Sequence, residues 1–291
     1  MPVTLPVPDT AGVYTFPNDL VAAHRAHQQQ LAARRAAGDP DVIQLLAPHE
    51  SRPYLIERRR PAGRPVVAIE PHHDDLALSA SGTLLTSPRP LTVVTVFTRS
   101  TTAHPTAAAA HPGEAGVSAL RAEEGRQALR PLQAGRLLLG YRDARPPYGP
   151  YDRHVLDQVT TNLARVLDEI GAGAELLAPA GVTRHPDHLL VHEAARRLGC
   201  TWFWEDVAFW ATYALSADDR HLFTQRVGGA LAGQVADITA SVLDKLTLLY
   251  VHASQLQPLH AMYRPIRYAY TVAAGARPAL YGERFYRQVT A

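Results

Sequence analysis

The chain has 291 residues, a formal net charge of +2, 46% hydrophobic residues and 19% charged ones, the balance of an ordinary globular protein. That length suits one substantial α/β domain; no apolar run approaches the roughly 20 residues a bilayer span needs, and the charge gives no reason to expect nucleic acid. A single cysteine, Cys200, rules out an internal disulfide and a thiolate zinc cage. Residues 1 to 17 are Pro-rich and read as extended. They carry neither the basic start nor the apolar core of a signal peptide, so a cytoplasmic protein is expected. Asn18 to Ala37 read as a helix capped by Asn18 and closed by Gly38-Asp39-Pro40. A polar stretch follows to Pro65, with a short strand at Tyr54–Glu57 and an arginine run, Arg58 to Arg60, that reads as a solvated face.

From Val66 strands and helices alternate. Val66–Glu70 is a buried strand, Leu76–Leu85 a helix, and Leu91–Thr98 a strand rich in β-branched residues. Gly116–Leu132 is helical, Arg136–Gly140 is a strand, and Asp152–Ile170 is an amphipathic helix. Glu175–Pro179 is the next strand, a helix runs from Asp187 to Leu198, Thr201–Glu205 is a fifth strand, and Asp237–His252 is a long helix. This alternation predicts an α/β fold, a Rossmann-like three-layer sandwich with a mainly parallel sheet, plus an N-terminal helical extension. Ligands of such sheets sit beyond the carboxyl ends of the strands, so the loops after Glu70, Thr98, Gly140 and Pro179 are the places to search.

Two of those loops carry ionisable clusters: Pro71-His72-His73-Asp74-Asp75 after the first strand, and Arg184-His185-Pro186-Asp187-His188 after the fourth. Imidazole and carboxylate are the ligands zinc takes when thiolates are absent, and a catalytic site keeps an open position. Asp74 or Asp187 could instead cap a helix start. Two such clusters at strand ends of one sheet argue for a metal site, with the remaining carboxylates and histidine as acid, base and orienting groups. Motifs of serine hydrolases, P-loop NTPases and nicotinamide dehydrogenases are absent.

Pro71–Asp75, with Leu78-Ser79 and Gly82, resembles the (A/P)HPDDE…GG motif of the PIG-L family, the LmbE-like N-acetylglucosaminyl deacetylases. His185-Pro186-Asp187-His188 resembles the family's second motif, HxDH. The helix with Arg121, Glu124, Ala128 and Leu132 and the Leu139–Asp143 loop agree. So do Trp204-Glu205-Asp206, Lys245…Tyr250…Ser254-Gln255 and Glu283-Arg284. The likeness spans roughly residues 64 to 288. It implies residues 1–63 as a helical extension packed on the domain and 64–291 as the deacetylase domain.

The resemblance further implies His72, Asp75 and His188 as ligands of Zn²⁺, a set that also accepts Fe²⁺. Asp74 would be the general base toward the zinc-bound water. His185 would stabilise the oxyanion or protonate the leaving amine, oriented by Asp187. Asp143 and Arg99 would bind substrate, and Arg121 and Glu124 would be scaffold around the site. Two positions depart from the motif: His73 stands for the usual Pro and Leu76 for the usual Glu. Tyr148 lies in a loop that could border the pocket, while Trp202, Trp204 and Trp210 are expected in core or interface.

The expected function is metal-dependent hydrolysis of an N-acyl, chiefly N-acetyl, amide on an amino sugar or related small metabolite. Expected partners are a small N-acylated substrate, no nucleic acid and no membrane, with room for a homo-oligomer. Alternatives are another metal-dependent tailoring reaction in specialised metabolism, or a non-catalytic metal- or partner-binding protein.

Overall fold

A computed structural model describes residues 3–6, 15–171, 173–182, 184–207, 217–227, 230–256, 260–274, 276 and 278–289. Trp210 lies outside them. Helix α1 (Thr15–Ala36) leads into a two-stranded antiparallel hairpin, β1 (Val42–Ala47) and β2 (Arg52–Glu57). The sheet begins with β3 (Val66–Glu70) and continues through α2 (Asp75–Ser79), α3 (Ser81–Thr86), β4 (Leu91–Arg99), α4 (Pro105–Ala110) and α5 (Gly113–Leu129). Then come β5 (Gly135–Arg142), α6 (Arg153–Ile170), β6 (Glu175–Pro179), α7 (Pro186–Arg197) and β7 (Trp202–Trp204). The chain closes with α8 (Ala217–Val227), β8 (Ala230–Asp237), α9 (Val242–Val251), α10 (His260–Ala273) and β9 (Gly282–Val289).

Seven strands form one sheet in the order β5-β4-β3-β6-β7-β9-β8. Strands β5 to β7 are parallel, and β9 and β8 add an antiparallel edge. All five residues of β3 are buried, as a central strand covered on both faces requires. Side chains alternate across the sheet: Val66 and Ala68 join the core with α1, α2, α3, α5, α9 and α10, while Val67 and Ile69 join the one with α6 and α7. This is a three-layer α/β sandwich. After β3 the chain builds β4 and β5 to one side, then returns to place β6 on the other. The crevice beyond the carboxyl ends of β3 and β6 is therefore the topological switch point, and both histidine clusters open onto it.

The expected helix over Leu76–Leu85 is broken in two at Ala80 (φ −136°, ψ −3°). The cause is a buried ion pair. Lys245 Nζ donates to Leu78 O (2.8 Å) and to Glu283 Oε1 (2.5 Å), and Glu283 accepts the amides of Gly82 (3.0 Å) and Thr83 (2.8 Å). The carboxylate thus satisfies first-turn donors of α3 that a continuous helix would have satisfied itself.

The N-terminal helix is tied to α9 and the hairpin. His24 Nε2 lies 2.9 Å from Thr247 Oγ1, His27 Nε2 lies 2.7 Å from Asp244 Oδ1, and Gln28 pairs with both backbone groups of Leu55. Strands β1, β8 and β9 and helices α4, α8 and α10 were not expected from the sequence. No helix among the described residues is long and apolar enough to cross a membrane.

Candidate metal centre

The first cluster is a tight turn. Asp75 N donates to His72 O (3.4 Å), and the Asp75 carboxylate accepts the His72 amide through Oδ2 (2.7 Å). The second cluster opens α7. Pro186 takes the first helical position, where its missing N–H is no loss, and the N-cap residue His185 accepts the Asp187 amide on Nδ1 (3.3 Å). The preceding loop turns at Gly181 (φ +68°), a left-handed conformation suited to glycine.

The two loops converge. His188 Nε2 lies 3.2 Å from Asp75 Oδ1, and His72 Nδ1 lies 3.2 Å from Asp75 Oδ2. The other nitrogen of His72, Nε2, lies 2.9 Å from Asp187 Oδ2, which also accepts the Ala144 amide at 2.9 Å. Sequence expectation paired Asp187 with His185, yet the Asp187 carboxylate sits on His72, with His185 Nδ1 4.0 Å away. Asp206, just past β7, fixes His188 from behind: its Oδ1 lies 3.1 Å from His188 Nδ1, and its Oδ2 accepts the Val182 amide (2.7 Å).

Among the described residues, two sets of side chains could hold a metal ion, the donor atoms of each all within 4.8 Å of one another: His72, Asp75 and His188, and His72, His185 and Asp187. The 3.2 Å between His188 Nε2 and Asp75 Oδ1 is close to the edge, about 3.3 Å, of a tetrahedron with zinc-ligand bonds of about 2.0 Å. The electrostatics also favour positive charge among these groups. Burial opposes a charge on His72, but hydrogen bonds to Asp187 and Asp75 outweigh it and lift the imidazole to about 9. His188 is likewise raised well above its ordinary value, burial being overcome by Asp75 and Asp206. Without metal the buried carboxylates draw protons onto these imidazoles, and a metal ion competes for the same positions. The residues fit a zinc-type ion.

Beside these donors lies a cleft with about 530 Å³ of free space, open solvent included. Its lining includes Asp74, Arg121, Asp143, Tyr148 and His185. Asp74 is buried, and Arg121 donates to its Oδ1 from Nη2 (3.2 Å). Arg121 also donates to Ser100 Oγ (2.8 Å), and Ser100 donates in turn to Asp143 Oδ2. Asp143 lines the cleft, and its Oδ1 is buried with no hydrogen-bond partner among the described residues. Tyr148, 52% exposed, sets its ring 4.6 Å from that of His185. Burial, then repulsion from His188 and His72, pulls His185 down to about 4. Glu124 stays outside the cleft, accepting the Ser254 amide (2.9 Å) and hydroxyl (2.5 Å).

Arg99 is not in this cleft. Its half-exposed side chain pairs with Glu114 at 2.7 Å, a carboxylate shared with Arg142 and Arg145. The guanidinium in the cleft is that of Arg121, which the sequence placed as scaffold. Asp206 was noted only as part of a resemblance. A search of the loop after the fifth strand, at the same edge of the sheet, would have found it.

The family described as PIG-L, GlcNAc-PI de-N-acetylase, matches residues 67–198. A 2'-N-acetylparomamine deacetylase of Streptomyces fradiae is 35% identical over 239 residues, covering 76% of this chain and 79% of that protein. Among solved structures, the A40926 pseudoaglycone deacetylase is similar with TM-score 0.58 and 21% identity, over 78% of this chain and 97% of that one. A zinc-inhibited form of a teicoplanin deacetylase follows with TM-score 0.57 and 17% identity, over 78% and 98%. A 4-carboxy-2-hydroxymuconate hydratase from Pseudomonas putida is also similar, with TM-score 0.51 and 15% identity over 79% and 97%. The structural likenesses speak to the fold, and a hydratase among them shows that fold alone does not fix the reaction. The chain belongs to the PIG-L family, and it is an enzyme of the deacetylase type.

Proposed function

We propose that this enzyme removes the acetyl group from an N-acetylated amino sugar of a specialised metabolite, using zinc held by His72, Asp75 and His188. The observation that carries the reading is the meeting of the β3 turn and the α7 start at the switch point, with Asp74 beside the donors. Of the two candidate sets, the one with His188 is favoured because Asp206 occupies Nδ1 and leaves Nε2 toward Asp75. Iron(II) would suit the same donors. The relative that acts on 2'-N-acetylparomamine supports the substrate class.

When bound, zinc supplies Lewis acidity, polarising an amide carbonyl and lowering the pKa of a coordinated water from 15.7 to about 7. The chain's own groups do the rest. Asp74 takes the proton of the attacking water; Arg121 holds its Oδ1, which leaves Oδ2 to accept. His185 accepts the Asp187 amide on Nδ1, so its neutral form carries the proton on Nε2 and donates to the developing oxyanion. Asp187 steadies His72 and the Ala144 backbone rather than His185. Asp143, with Oδ1 unpartnered, accepts a substrate hydroxyl, and the exposed face of Tyr148 gives a sugar ring a surface to lie on.

The test is acetate release from a panel of N-acetylated amino sugars by the zinc-loaded full chain, with Asp74→Asn alongside. Release should fall by about 10²–10⁴ in the variant while zinc stays bound. Undiminished release from Asp74→Asn would contradict the assigned base.

A further inference from the structure

We propose that Arg136 is a positioning residue for the catalytic turn, holding Asp74 and Asp75 in place through His73. The inference rests on the deacetylase reading above.

His73 sits between the first proposed ligand and the proposed base, and only 4% of it is exposed. Burial closes its imidazole off from solvent, and its Nε2 lacks a hydrogen-bond partner among the described residues. Nδ1 is satisfied by one group, Arg136 Nη2, which donates to it at 2.7 Å. Arg136 belongs to β5, which is separated from β3 by β4, so the contact ties the turn to a distant strand. Its Nη1 donates to Ala122 O at 2.6 Å. Ala122 follows Arg121, whose own guanidinium holds Asp74. One guanidinium thus grips the residue before the base and the backbone beside the arginine that binds the base.

The packing is built around this contact. A Cβ on Gly125, the next turn of α5, would come within 3.1 Å of Arg136 Nη2 and 3.2 Å of His73 Cβ. Glycine there leaves room for the pair. With Arg136 gone, both nitrogens of His73 would be buried without partners, a cost the turn can relieve only by moving. Such a movement shifts Asp74 and Asp75 together, and displacements near 1 Å can cost about a hundredfold in rate.

His73 is also the second residue of the His72–Asp75 turn, the position at which proline is favoured. A proline there keeps the turn and needs no hydrogen bond, so it makes Arg136 dispensable. This gives a test that a merely structural role would not pass. Zinc affinity, by competition with a chromophoric chelator, and kcat and KM for an N-acetylated amino sugar are measured on the full chain as wild type, Arg136→Gln, His73→Pro and the double variant.

Arg136→Gln should lower kcat and zinc affinity about tenfold each with KM little changed, and Arg136→Lys, which keeps a donor, should retain most of both. In the His73→Pro background the same Arg136→Gln change should cost less than about twofold. An equal cost in both backgrounds, or none in either, would overturn the proposal. Should the wild type release no acetate from any substrate, the deacetylase reading falls, while the zinc arm still decides whether Arg136 acts through His73.

Discussion

Asp206 Oδ1 lies 3.1 Å from Nδ1 of His188. This contact joins the loop after β7 to the start of α7, and it decides which nitrogen of His188 points at Asp75. A carboxylate behind a ligating imidazole fixes its tautomer and raises its basicity, and loss of such a partner typically costs 10–100-fold in metal affinity. Asp206→Ala should therefore weaken zinc binding by about that factor in a chelator competition, with the fold retained. Unchanged affinity would mean that His188 needs no support or is not a ligand.

Lys245 is the sole lysine of the chain, and it is buried with Glu283 at 2.5 Å. Removing one partner of such a pair strands the other charge in the interior. Lys245→Met should cost about 3–5 kcal/mol in denaturant unfolding, and the Lys245→Met/Glu283→Gln double variant should recover part of it. A loss no larger in the single variant than in the double would show that the carboxylate is not stranded.

Glu124 gives the stability a pH signature. Burial pushes its carboxyl up to about 7, against the hydrogen bonds from Ser254 that favour the ionised form. The folded pKa is raised above the unfolded one, so the protonated group favours the fold. That contribution is complete below the unfolded value near 4.5 and is lost as pH rises through about 7. Glutamine keeps the shape and cannot ionise. The Tm advantage of wild type over Glu124→Gln should shrink steadily from pH 5 to pH 8, and a constant difference across that range would contradict the shift.

Much of the central sheet was legible in the sequence for a physical reason. Strands β3 and β6 are short runs rich in apolar residues, each with a polar cluster starting within five residues of its end, and their expected bounds, Val66–Glu70 and Glu175–Pro179, agree with the structure. Both histidine clusters were found because each begins within five residues of the end of such a strand. The antiparallel edge was missed because β9, GERFYRQV, mixes buried and exposed residues without a clean alternation. The break at Ala80 depends on Lys245 and Glu283, more than 160 residues away, which no local pattern carries. Arg99 and Arg121 show a further limit. Position at a strand end does not give the direction of a long side chain: Arg99 leans outward to Glu114, and the arginine that reaches Asp74 comes from α5.

The proposed metal site joins the β3 turn to the start of α7. The most direct measurement is the metal content of the full chain after zinc loading and buffer exchange, compared with Asp75→Ala and His188→Ala. Close to one zinc per chain is expected in the wild type, with loss of most of it in each variant. Wild-type protein that retains no zinc, or variants that retain as much as wild type, would contradict it.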